Sequence, residues 1–160
     1  MGPSKNPIIL ETWANFLLLC DRNFPVHGIG RALCKIIPPE KLLFVDEIHQ
    51  IPDLVPSAEA VLLISAGSVL SERRLTDIEN LLGRFRSIKS IAIIRDNELS
   101  LINKLHMCFH GLFTVEVKIE ELLRGIDHIS KDEVYIHSAI RQGIIESYLT
   151  EKNRNRQPLH

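Results

Sequence analysis

GLFTVEVKIEELLRGIDHIS, Gly111 to Ser130, holds two hydrophobic periods side by side. Its first part, GLFTVEV, reads as a short strand. Its second part, IEELLRGIDHIS, puts Leu122, Leu123, Ile126 and Ile129 on one helical face, with Glu120 and Glu121 in the first turn, where a helix dipole favours acids. A strand running straight into an amphipathic helix is half of a parallel-sheet repeat, so the remainder of the chain should show the same alternation.

It does. FLLLC, Phe16 to Cys20, is an apolar run bounded by Asp21 and Asn23, as expected for a strand covered on both faces. FPVHGIGRALCKII follows, with Val26, Ile29, Leu33 and Ile36 or Ile37 at helical spacing and Pro38-Pro39 as the stop. Gly28 and Gly30 each cost about 1 kcal/mol relative to Ala if they lie inside that helix, so packing must compensate. KLLFVDEI supplies a second strand, SAEAVLLIS a third and SIKSIAIIRD a fourth. SERRLTDIENLLGRF is a helix with Leu75, Ile78, Leu82 and Phe85 on one face, and NELSLINKLHMCF is another. HQIPDLVPSAE, between the second and third strands, carries two prolines and suits at most a one-turn crossover. Five strands alternating with about five helices predict an α/β, flavodoxin-like, doubly wound sandwich: a five-stranded parallel sheet with helices on both faces.

At 160 residues, 45% hydrophobic and 24% charged, the chain has the size and mixture of one globular domain. A net charge of −1 gives no global field toward nucleic acid or an anionic membrane. The expected organisation is a flexible segment at 1–12, one domain at 13–150, and a polar, basic tail or linker start at 151–160. Cys20, Cys34 and Cys108 are widely spaced and odd in number, as in a reducing compartment. No run approaches the roughly 20 apolar residues of a membrane span, and a cytoplasmic location without membrane contact is the expectation.

HGLFTVEVKIEELLRGIDHISKDEVYIHSAIRQGI resembles the last strand and helix of a response-regulator receiver domain, in the form that precedes a LuxR/NarL-type helix-turn-helix. Gly111, Leu112, Phe113, Glu120 to Leu123, Val134 to Ile136 and Ser138 fit that pattern. FLLLCD and GIGRALC match its first strand and helix, and the resemblance spans roughly Phe16 to Leu149. It implies a receiver fold. It also implies five groups at the strand tips: two acids after the first strand and an aspartate after the third to hold magnesium, the aspartate taking the phosphoryl group, with a Thr or Ser and a Lys after the fourth and fifth.

Those positions are nearly emptied here. The acidic pair is Cys20-Asp21, the nucleophile position falls on Ile64 or Ser65, the Thr/Ser position on Arg95, and the Lys position on Val115. One carboxylate holds magnesium poorly, so the expectation is a degenerate receiver without aspartyl phosphorylation and without a cofactor. Two readings of Arg95 stand side by side: a guanidinium paired with Asp21 in place of the metal, or one pointing into solvent.

Other motifs point to less. His106, Cys108 and His110 are zinc-type residues without a fourth ligand, and Ser65 lacks a G-x-S-x-G context. The leading expectation is a non-enzymatic regulatory domain of a bacterial LuxR-type transcription factor. It would form a homodimer through the face from Leu99 to Ser130, with Leu101, Leu105, Phe109, Phe113 and Ile119 as candidates. DNA would be reached only through a helix-turn-helix domain not present in this chain, and a protein partner or small ligand would be the input. The alternative readings are a stand-alone protein-interaction adaptor, and a small phosphotransfer or hydrolytic enzyme using Ser65 and a histidine.

Overall fold

The computed structural model describes residues 8–54, 59–66, 71–95 and 109–143. Within them the strands are β1 (Asn15–Leu19), β2 (Leu42–Phe44), β3 (Val61–Ala66), β4 (Ile88–Ile94), β5 (Gly111–Thr114) and β6 (Tyr135–Ile136). The helices are α1 (Gly28–Ile36), α2 (Ile51–Leu54), α3 (Glu72–Arg84) and α4 (Ile119–Ser130). One sheet contains all six strands in the order β2-β1-β3-β4-β5-β6, and every neighbouring pair is parallel. This is the doubly wound architecture read from the alternation, with one strand more than the five expected.

The continuous apolar strands exist because helices cover both faces of the sheet. Along β1, β3 and β4 the side chains alternate between two cores. Leu17, Leu63 and Ala92 pack with Ile51 of α2 and with Leu75, Ile78 and Leu81 of α3. Phe16, Leu62, Ile64 and Ile91 pack with Ile29 and Leu33 of α1 and with Leu122, Ile126 and Ile129 of α4. On α3 it is Leu81, not Leu82, that is sealed, while Leu82 packs at the edge. Within the described residues α2 is a single turn that carries Pro52.

Gly30 shows why the GIG run costs less than its propensity suggests. A Cβ there would strike the backbone carbonyl of Phe24, so the glycine lets the turn at Phe24–Val26 sit against α1. The expectation of a loose start at 1–12 is corrected in part: Ile8–Thr12 forms a 3-10 turn, and Leu10 enters the core at 1% exposure. The sixth strand is held by Tyr135 N–H donating to His110 O at 2.9 Å and His137 N–H to Leu112 O at 2.8 Å. Two residues give too short a period to register as a strand in sequence. The helix expected over NELSLINKLHMCF lies outside the described residues. Among the described residues no helix is long and apolar enough to cross a membrane.

Candidate functional site

In a parallel sheet the carboxyl ends of the strands face one rim, and the turns that leave them carry the chemistry. β1 stops at Leu19, so Cys20 and Asp21 emerge there. Arg95 leaves β4 and Val115 leaves β5. The register carries β3 higher than the sequence suggested: Leu19 is level with Ser65, and Ala66 is still paired, level with Ile93. Ile64 and Ser65, the residues read at the nucleophile position, therefore stand inside the paired length of the strand. Both are 0% exposed, and the last paired residue of the third strand is Ala66. The strand continues because alanine, small and apolar, joins the core at its own end. Whichever of the three is taken, no carboxylate stands at this position.

Asp21, Arg95 and Val115 border one cavity of about 370 Å³, together with Phe24, His27 and Ile29. Asp21 is held from two sides. Its Oδ1 accepts the backbone N–H groups of Asn23 and Phe24, each at 3.1 Å. Its Oδ2 accepts from Arg95 Nη2 at 3.2 Å. Of the two readings of Arg95, the structure has the paired one, with the guanidinium half exposed. Beside it the Cys20 thiol is pushed up to about 12 by burial, and then by the Asp21 charge and Cys34. Burial also raises Cys34. A protonated, soft thiol and a carboxylate already shared between two amides and a guanidinium do not make the hard oxygen cage that magnesium requires. The residues at these tips do not fit that metal.

The face proposed for contact is reshaped. Phe109 and Phe113 are corrected as contact residues: at 5% and 0% exposure they belong to the core. An apolar residue on a two-sided sheet faces inward whichever way it alternates, which is why Phe113 could not be assigned to a surface from sequence. Ile119 is partly buried against the same core as Phe113, and Leu101 and Leu105 lie outside the described residues. So do His106 and Cys108. His110 Nδ1 accepts the Ser90 N–H at 3.1 Å, which places the neutral ring's proton on Nε2. Burial, then the Lys89 ammonium, lowers its affinity for a second proton.

One constellation was not anticipated. His137 Nδ1 faces both the Thr114 N–H at 3.3 Å and Thr114 Oγ1 at 3.2 Å, while its Nε2 lies 3.4 Å from Glu121 Oε1. Tyr135 O–H donates to Glu121 Oε2 at 2.9 Å. A hydroxyl, an imidazole and a carboxylate in this order resemble a nucleophilic relay, but Thr114 is 3% and His137 8% exposed. The group works as a clasp. It ties β6, and the helical residues 138–143 that follow, to the end of β5 and the first turn of α4. Glu121 carried a signal in sequence as a first-turn acid; nothing linked it to a histidine on another element.

No protein-family model matches the chain, and no curated protein matches it in sequence. Solved structures do. The isolated receiver domain of RcsB from Salmonella enterica serovar Typhimurium, determined with the phosphomimetic BeF3−, superposes with a TM-score of 0.59 at 15% identity, covering 81% of this chain and 97% of that one. The RcsB response regulator of Salmonella typhimurium, studied for conformational dynamism in DNA interaction, gives 0.58 at 17% identity and covers 82% of this chain. This chain spans 65% of that longer one. At these identities the likeness is one of architecture: the chain has the fold of a receiver domain.

Proposed function

We propose that this chain is a receiver-like regulatory domain that acts without aspartyl phosphorylation, as part of a LuxR-type regulator. One observation carries the reading: the end of the third strand offers Ile64, Ser65 and Ala66 and no carboxylate, Arg95 and Val115 stand after the fourth and fifth strands, and Asp21 is bonded to Arg95 at 3.2 Å. Phosphoryl transfer needs an in-line nucleophile surrounded by charge-neutralising groups. The residues here offer a guanidinium in the metal's place and an apolar side chain where a lysine would stand. Ser65, the hydroxyl carried by the third strand, is 0% exposed, and its burial supports a non-enzymatic reading of the same strand ends.

Regulation then rests on surfaces. The face of β5, α4 and β6 is the candidate for self-association, with Ile119 at its partly buried edge and Val134, 67% exposed, beside β6. Sedimentation velocity with and without magnesium and beryllofluoride tests this. The expected result is a dimer whose association constant the additives leave unchanged. A monomer at high concentration removes the dimerisation claim, and an additive-dependent shift removes phosphorylation independence.

A further inference from the structure

On the opposite side of the sheet from α1 and α4, a cavity of about 340 Å³ lies between α3 and the turn leading into α2. Arg73, Arg74 and Arg84 line it, with His49 and Asn80, and the carboxylates facing them are Glu47 and Asp77. Three guanidiniums thus meet two carboxylates, and the pairing is incomplete. Arg74 Nη2 stands 3.9 Å from Glu47 Oε1, too far for a hydrogen bond, and Arg74 Nη1 is buried with no hydrogen-bond partner among the described residues. A guanidinium N–H withdrawn from water without an acceptor is costly. Arg73 and Arg74 also occupy the first turn of α3, where the helix dipole disfavours cations. A structure that gathers such groups around an opening has acceptor capacity missing.

We infer that this cavity binds a small phosphorylated molecule, its phosphate taken by Arg74 and Arg73. A phosphate offers three acceptor oxygens, and the guanidinium fork matches two of them at once. Turning Arg74 about its outer torsions brings Nη1 to the entering oxyanion, since no ion pair shorter than 3.9 Å among the described residues holds it. Glu47 and Asp77 accept hydroxyl or amino donors on the remainder of the ligand. They also set the cavity against a long polyanion such as nucleic acid, whose successive phosphates would meet both carboxylates. The volume lies within the range of small-molecule sites, about 300–1,000 Å³. This site is separate from the strand-tip rim and does not depend on the function proposed for it.

Amide NMR during titration with inorganic phosphate and with glycerol 3-phosphate, at constant ionic strength, tests the assignment. Saturable shifts confined to residues 47–52 and 73–84 are expected, with the monoester binding more tightly than the free ion. Arg74→Met should weaken binding roughly tenfold or more, as expected for loss of a charge-assisted bond, and Arg95→Gln should leave it unchanged. Arg73→Met, at an exposed position, gives the same reading should Arg74→Met fold poorly. Non-saturating shifts, shifts centred on residues 21–29, or equal affinity in wild type and both Arg73 and Arg74 variants would overturn the proposal. So would capture of an acidic peptide at these residues with no response to either phosphate.

Discussion

Removing Asp21 should hurt more than removing its ion-pair partner, and the size of the difference follows from the geometry. At 3.2 Å the pair has a bare Coulomb energy of about 1.3 kcal/mol at the dielectric of water. Arg95 is half exposed, so salt screening and side-chain ordering reduce the net contribution to about 0.5 kcal/mol. Asp21 does a second job. Its Oδ1 anchors the Asn23 and Phe24 amides at the start of the turn that packs against α1. Two bonds to a charged acceptor, one at an exposed amide where water can substitute, contribute about 1.5 kcal/mol together. Asp21→Ala should therefore lose about 2 kcal/mol and Arg95→Ala about 0.5, with a coupling near 0.5 in the double-mutant cycle. At about 4 °C per kcal/mol for a domain of this size, the single variants fall by about 8 °C and 2 °C. Urea unfolding of the four proteins measures all three quantities. Equal losses for the two single variants, or a coupling above about 2 kcal/mol, would refute the view that Asp21 serves chiefly to fix the backbone.

Gly30→Ala should destabilise by about 3 kcal/mol or more in urea unfolding, because the new methyl meets a backbone carbonyl, Phe24 O, that cannot swing aside; a loss below 1 kcal/mol would show that α1 slides freely. Cys20, with its thiol pushed up to about 12, should react with iodoacetamide about a thousandfold more slowly at pH 8 than an ordinary cysteine, by peptide mass spectrometry. Its folded-state affinity for the proton is raised, so the stability it contributes is complete below the ordinary thiol value of 9.0 and declines as pH rises toward 12. His110 has the opposite sign. Its lowered proton affinity gives stability that is present above the ordinary value of 6.5 and lost as pH falls through the folded-state value. His110→Asn, which keeps an acceptor for the Ser90 amide, should flatten the acid side of the urea midpoint curve; an unchanged slope would assign that titration to other groups.

The parts of the fold legible in sequence are those where burial on both faces forces a continuous apolar run, as in Leu17 to Leu19, Val61 to Ile64 and Ile91 to Ile94. Helices α1, α3 and α4 announced themselves by one apolar stripe each, since only one side of each meets the sheet. The limits have the same origin. A two-sided strand carries no polarity mark where it ends, so Ile64 and Ser65 could not be ranked at the nucleophile position, and the register adds that the strand stays paired as far as Ala66. Phe113 could not be assigned inward or outward, because both faces of β5 are buried. The Thr114, His137 and Glu121 clasp joins residues on three elements, and no spacing in the chain encodes it. Chemistry at the rim was legible by type, through a cysteine beside Asp21 and apolar or hydroxyl residues at Ile64 and Ser65, whereas the Arg95 pairing needed coordinates.

The central claim is that this rim has exchanged phosphoryl chemistry for a fixed ion pair. Intact-mass spectrometry after incubation with acetyl phosphate and magnesium tests it directly. The account predicts that the protein retains its original mass under conditions that label an active receiver run in parallel. A stoichiometric, hydroxylamine-sensitive gain of one phosphoryl group, mapped to any carboxylate of residues 8–143, would contradict it.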